Sequence, residues 1–121
     1  MENKIYDIRQ RTYIYALEVI KFLDDLPKDY ISQVIGKQLL RSATSIGANI
    51  VEAKASSSKK DFANFYSYSL KSANESKFWL GLLKDSNKIS STKVNPILNE
   101  TNELSNIIAS SLITIKTKQR F

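Results

Sequence analysis

The stretch DYISQVIGKQLLRSATSIGANIVEAKASS, Asp29 to Ser57, decides the fold. At 3.6 residues per turn, Ile31, Ile35, Leu39, Ala43, Ile46, Ile50 and Ala53 fall on one apolar stripe. Gln38, Arg41, Ser42, Ser45, Asn49 and Glu52 fall on a polar stripe beside it. The pattern predicts one long helix over 29–57 with a core face and an ordered polar face. A solvated helix scatters Lys and Glu over its outer surface. This polar stripe instead holds one cation and one anion, Arg41 and Glu52, about 16 Å apart at 1.5 Å per residue. Short polar side chains in that order suit a contact surface.

The flanks of this helix set the neighbouring elements. Pro27 ends the helix before it, because proline supplies no donor and biases the preceding residue away from helical geometry. Asp29 is the predicted N-cap. The polar run from Ser56 to Asp61 breaks the chain again, with Ser58 or Asp61 capping the next helix. A first helix over 3–26 carries Tyr6, Tyr13, Leu17 and Ile20 on one face, with Ile8, Tyr15, Phe22 and Leu26 nearly opposite. A third helix over 60–88 places Phe62, Phe65, Tyr66, Ser69, Ala73, Leu80 and Leu83 on an inward arc, and Tyr68, Phe78, Trp79 and Leu82 extend beyond it. A fourth over 91–117 carries Ile97, Leu104, Ile108, Leu112 and Ile115. It starts either at a Ser90 or Ser91 cap, with Pro96 in its first turns, or at an Asn95 cap with Pro96 as first helical residue.

With three Gly, two Pro and almost no alternating β-branched runs, nothing else competes with helix. The expected fold is all-α: an antiparallel up-down-up-down four-helix bundle forming a single domain over 1–121. One bundle buries one stripe per helix, and the first and third helices carry more. The surplus predicts a homo-oligomer, with Tyr15, Phe22, Tyr68, Phe78, Trp79 and Leu82 as candidate interface residues.

Composition narrows the chemistry. The chain has neither Cys nor His, which removes disulfides, thiolate nucleophiles, almost all structural zinc sites and the usual neutral-pH general base. No Gly-rich phosphate loop or nucleophile elbow occurs, and Glu52, Glu75, Glu100 and Glu103 show no repeated ligand spacing. No catalytic residue, metal or cofactor is assigned, and the expectation is a non-enzymatic protein. No apolar run approaches the roughly 20 residues that span a bilayer, and MENKIYDIRQ contains no signal-peptide core, so no membrane contact and a cytoplasmic location are expected.

The net charge of +6 favours anionic partners such as RNA or DNA. Lys37, Arg41, Lys54, Lys59, Lys60 and Lys77 are the candidate contacts, to phosphates rather than bases, since no base-reading motif is present. Lys77, Lys84 and Lys88 also share a narrow arc, either as lysines snorkelling beside the core or as a phosphate track. The polar stripe Gln38, Arg41, Ser42, Ser45, Asn49, Glu52 has two uses. It forms a hydrogen-bonded seam within the bundle or between subunits, or Arg41, Asn49 and Glu52 contact a ligand or nucleic acid. The seam is preferred, because half-buried Arg and Asn in helical bundles commonly fix register.

The same residues carry a resemblance. QLLRSATSIGANIVEA (Gln38 to Ala53) and SSSKKDFANFYSYSLKSANES (Ser56 to Ser76) are similar to the four-helix bundle proteins encoded within intervening sequences of 23S ribosomal RNA genes, the S23-type family. Its pattern is met by Gln38-Leu39, Arg41-Ser42, Ser45-Ile46, Ala48-Asn49-Ile50 and Glu52, then by Phe62, Phe65, Tyr66 and Ala73. Ala53-Lys54 departs from it, since the family commonly has Gly after the Glu. The resemblance implies a ring-like homopentamer without known catalytic activity. It also implies kinship with the accessory variability proteins of diversity-generating retroelements, basic pentamers that bind a reverse transcriptase and nucleic acid. Two functions are therefore expected: a basic oligomeric scaffold binding RNA or DNA, or an interaction module that docks a reverse transcriptase or another element-encoded protein.

Overall fold

Three of the four helices begin where a short polar side chain accepts from a free backbone N–H group. The computed structural model describes residues 7–118 as α1 (Ile8–Asp24), α2 (Tyr30–Ala55), α3 (Lys59–Asp85) and α4 (Ser91–Lys118). Asp7 starts α1 through a capping box, its carboxylate accepting from the Gln10 N–H at 2.9 Å while Gln10 Oε1 accepts from the Asp7 N–H at 3.3 Å. Its extended backbone places the helix start at Ile8 rather than residue 3; the rest of the expected first turns, with Tyr6, lies outside the described residues. Asp29 caps α2 and Ser58 caps α3.

α3 stops at Asp85, short of the expected 88, because Asn87 adopts φ 60°. That left-handed residue lets the Lys88 N–H donate to the Leu83 carbonyl and the Asn87 N–H to the Lys84 carbonyl, both at 3.1 Å, which ties off the helix end. The start of α4 is the earlier of the two alternatives. The Ser90 carbonyl accepts from the N–H groups of Lys93 and Val94, and Pro96 lies inside the helix.

Consecutive helices are neighbours and run antiparallel. Thr12 meets Gly47 while Leu23 and Leu26 meet Gly36; Ser42 meets Ser76 while Ile46 meets Ser69. The α2–α3 pair is the most extensive and α1–α4 the sparsest. The core comprises Tyr15, Val19, Phe22 and Leu26 from α1 and its C-terminal turn, Leu39, Ala43, Ile46, Ile50 and Ala53 from α2, Tyr66, Ala73, Leu80 and Leu83 from α3, and Val94, Leu104, Ile108 and Leu112 from α4. Among the described residues there is no strand, and no helix is long and apolar enough to cross a membrane.

Two assignments of side chains to faces are corrected. Tyr15 and Phe22, expected at an oligomer interface, are 1% and 6% exposed and belong to the bundle core. The outward face of α1 is the other one, Tyr13, Leu17 and Ile20. A helical wheel shows two apolar faces on α1 but not which one its neighbours cover. Ile31, expected in the core stripe, is 54% exposed. In the antiparallel register that pairs Ser42 with Ser76, Ile31 stands opposite the chain just beyond Asp85, where α3 has already ended.

The α1–α4 side is joined by polar pairs. Arg11 donates to both carboxylate oxygens of Glu100, at 2.8 and 2.9 Å, and this bond raises the Arg11 pKa. Tyr15 donates to Thr101 Oγ1 at 2.7 Å, and Thr101 in turn donates to the Ile97 carbonyl. Burial pushes the Tyr15 hydroxyl up to about 12.

Candidate functional site

The polar stripe of α2 lies against a matching row of serines on α3. Ser42 and Ser76 are fully buried with their hydroxyl oxygens 2.8 Å apart, and Ser76 donates onward to the Ser72 carbonyl at 2.9 Å. Ser72 donates to Ser45 Oγ at 3.0 Å, and Ser69 donates to the Ile46 carbonyl at 2.8 Å. Asn49 donates from Nδ2 to both the carbonyl and the hydroxyl of Ser45, at 2.9 Å each. These side chains are small, so two backbones come close enough for hydroxyls to bridge them, and every bridging group has a partner.

At the outer edge of this seam the side chains lengthen. Arg41 pairs with the Glu75 carboxylate and donates from Nε to Gln38 Oε1 at 3.3 Å. The Trp79 indole N–H donates to the same carboxylate at 3.3 Å. Arg41 is thus engaged by a carboxylate within its own chain. Glu52 is exposed and enters no hydrogen bond or ion pair among the described residues. Of the six stripe residues, the structure joins Gln38 and Arg41 in one network and Ser42, Ser45 and Asn49 in the seam, leaving Glu52 outside both.

The six candidate cations do not form one patch. Lys37 and Arg41 are one turn apart on α2, while Lys54 lies thirteen residues beyond Arg41, about 20 Å along the axis. Lys77 is two residues after Glu75, about 200° round α3, and so projects from the flank away from Arg41. Lys54, Lys59 and Lys60 do gather, across the α2–α3 turn. All three are exposed, none is in an ion pair among the described residues, and Lys54 Nζ lies 5.6 Å from the centroid of the Phe62 ring. Of the ridge Lys77, Lys84, Lys88, the last is tied to Asp29 at 3.1 Å. Asp29 is held low, at about 2. The Ser32 hydroxyl faces its carboxylate without closing a well-formed bond, the Ser32 N–H donates at 3.2 Å, and Lys88 adds its charge.

Large apolar side chains remain outside on two flanks. Tyr13, Leu17 and Ile20 of α1 share one flank with Leu40 and Val51 of α2. Ile31 and Val34 of α2 share another with Phe78 and Leu82 of α3, and Tyr68 lies exposed farther along α3. Trp79, also expected at an interface, is half-buried and packs against the core. The grooves are open and shallow. One of about 370 Å³ runs between α1 and α4 over Phe22 and Ile97, and one of about 360 Å³ runs between α3 and α4, lined by Phe62, Tyr66, Ser110, Ser111, Thr114 and Ile115. No group of three or more acidic side chains converges among the described residues.

Sequence reasoning missed the α3 half of the seam, although Ser69, Ser72 and Ser76 recur at helical spacing and Ser42 and Ser45 mirror them. It also missed Arg11–Glu100, a pairing across 89 residues that carries no local signal.

Comparison with known proteins places this architecture. The family model for the 23S rRNA-intervening sequence protein matches residues 4–110. A crystal structure of a protein with unknown function from the S23 ribosomal protein family of Bacteroides thetaiotaomicron VPI-5482 is 35% identical. It superimposes with a TM-score of 0.80, over 88% of this chain and 98% of that one. No curated protein matches. A bundle whose α2–α3 seam is built from the motif residues Ser42, Ser45 and Asn49, matched along almost its whole length, belongs to the 23S rRNA-intervening sequence protein family.

Proposed function

We propose that this chain is a non-enzymatic scaffold that assembles as a ring-like homo-oligomer, a pentamer by family resemblance, and holds RNA or DNA on its basic surface. The observation that carries the proposal is the pair of exposed apolar flanks. Tyr13, Leu17 and Ile20 on one and Val34, Phe78 and Leu82 on another lie on different sides of the bundle, so a head-to-tail contact between copies would cover both and close into a ring. Repetition of a +6 chain around such a ring multiplies the cationic surface available to a polyanion. Light scattering tests the assembly: a mass several times 13.7 kDa is expected at micromolar concentration, and a monomer refutes it. An anisotropy titration with a labelled oligonucleotide tests binding. Affinity should fall steeply as salt rises, and no binding at low ionic strength removes the nucleic-acid half of the proposal.

A second reading is favoured by the Arg41–Glu75–Trp79 cluster, which sits beside Phe78 and Leu82. Arg and Trp amid apolar side chains form the composition of a protein-binding hot spot. On this reading the flank docks a reverse transcriptase or another element-encoded protein, as kinship with accessory variability proteins suggests. Co-purification from cells expressing both proteins, lost on Phe78→Ala, is its test.

A further inference from the structure

The α3–α4 groove brings together what a single nucleic-acid strand needs. Phe62 and Tyr66 form its aromatic floor, stacked with ring centroids 4.8 Å apart and planes 20° from parallel. Ser110, Ser111 and Thr114 of α4 line the opposite wall. Thr114 donates to the Ser110 carbonyl at 3.1 Å, while the Ser110 and Ser111 hydroxyls enter no hydrogen bond among the described residues. At the α2–α3 turn the groove meets lysines. Lys54 lies over the Phe62 ring, and Lys59 precedes Phe62 by three residues and Tyr66 by seven, which sets it on the flank of α3 that faces the groove. Lys60, the next residue, is about 100° farther round α3, on the outer side of the turn at the end of the groove. The start of α3 adds the partial positive charge of its unsatisfied N–H groups. The nearby acids are Asp61, about 200° round the helix from Lys59, and Glu52 on α2.

From this arrangement we propose that the groove holds an unpaired RNA or DNA strand, with phosphates on Lys54, Lys59 and Lys60, sugar–phosphate oxygens at Ser110 and Ser111, and a base against Phe62. The proposal rests on the nucleic-acid reading above and deepens it by locating the site and naming the form of nucleic acid. A cleft between two packed helices is too narrow for a duplex. The polar groups in it are lysines and hydroxyls, which contact backbone rather than base edges, and an aromatic ring beside a cationic track is the usual platform for an unstacked base. The rival cations are worse placed: Arg41 is occupied by Glu75, Lys37 lies on α2 away from the groove, and Lys77, on the same side of α3 as Lys59, is eighteen residues, about 27 Å, farther along the axis.

The test is anisotropy across a salt series with the full chain and three labelled probes: an oligo-thymidylate, an oligo-uridylate, and a duplex of the same length. Both single strands should bind more tightly than the duplex, and their ratio reports whether the 2′-hydroxyl matters. Each lysine removed should lower the slope of log affinity against log salt by about 0.7, so Lys54→Gln/Lys59→Gln/Lys60→Gln lowers it by about 2, roughly a 100-fold loss at ~0.1 M salt. All three side chains are exposed, so the variant should keep the wild-type helical circular dichroism. Phe62→Leu should weaken single-strand binding severalfold and leave the salt slope unchanged. Lys37→Gln/Lys77→Gln should bind within about twofold of wild type, the span expected of cations outside the site. A triple variant that binds like wild type, a larger loss in the Lys37/Lys77 pair, or a preference for duplex overturns the groove while leaving nucleic-acid binding intact. Wild-type chain that binds none of the probes at low salt refutes binding altogether, and the groove with it.

Discussion

Removing the Ser42 or Ser76 hydroxyl tests whether the polar stripe of α2 is held as a seam. The two oxygens are 2.8 Å apart in a fully buried site, and their protons are not equivalent. Ser76 donates to the Ser72 carbonyl at 2.9 Å, so the Ser42 proton points to Ser76 Oγ, with the Leu39 carbonyl at 3.3 Å as its only other acceptor. Ser42→Ala therefore costs Ser76 an acceptor interaction and leaves its donation intact, a loss of about 0.5–1 kcal/mol. Ser76→Ala strips the bond to Ser72 and strands the Ser42 proton on the long Leu39 contact, a loss of about 1–2 kcal/mol. The double variant should cost about as much as Ser76→Ala alone, which makes the coupling roughly 0.5–1 kcal/mol. Urea unfolding monitored by circular dichroism at one fixed protein concentration measures all three, the fixed concentration keeping any oligomer linkage constant. Equal effects from the two single variants, or additivity within about 0.3 kcal/mol, would show that the hydroxyls do not act as a directed pair and would refute the seam argument. Ser42→Leu is the complementary perturbation. It forces a larger side chain into the fully buried contact between α2 and α3 and should cost about 1–3 kcal/mol.

Two of the three glycines, Gly81 and Gly47, are predicted to respond in opposite directions to the same change. A Cβ on Gly81 meets nothing within 4 Å, so Gly81→Ala should stabilise by up to about 1 kcal/mol through helix propensity. A Cβ on Gly47 comes within 3.0 Å of Thr12 Oγ1 and 3.2 Å of Thr12 Cβ, and the Thr12 hydroxyl is anchored to the Ile8 carbonyl at 2.8 Å. Overpacking of about 1–3 kcal/mol there outweighs the propensity gain, and Gly47→Ala should melt below wild type. At Asp29 the folded carboxyl sits at about 2, below its unfolded value near 3.8. Its charged form therefore favours the fold above about pH 4, and that contribution is lost as pH falls through about 2. The stability gap between wild type and Asp29→Asn should accordingly be constant near neutrality and close across that acid window in a pH series of thermal melts; a gap that widens on acidification contradicts the assignment.

Periodicity and punctuation were enough to read four helices. Pro27 lies in the break after α1, which ends at Asp24 rather than the expected 26; Asp29 caps α2 as expected, Ser58 caps α3, and the stripe Leu39, Ala43, Ile46, Ile50, Ala53 is buried as its spacing requires. These features are legible because caps and breaks are local and a 3.6-residue repeat needs no partner to be seen. The ends were less legible. Nothing in SNKIS says that Asn87, rather than a residue nearer 90, turns left-handed, and the chemistry of Pro96 allowed two starts for α4.

What the amino-acid sequence determined by itself is the helix count, the core stripe of α2, the family motif and the absence of Cys and His. Which face of an element meets a neighbour was decided by the tertiary structure. Tyr15 and Tyr13 are both aromatic, both on α1 and two residues apart, yet one is 1% and the other 67% exposed, because α2 and α4 flank only one side of that helix. The same holds for charge. Arg41 is one cation among many until Glu75, 34 residues away, accepts it, and Lys54 becomes a neighbour of Phe62 only when the α2–α3 turn closes. Such pairings depend on the antiparallel register of whole helices, which packing sets and a one-dimensional pattern does not contain.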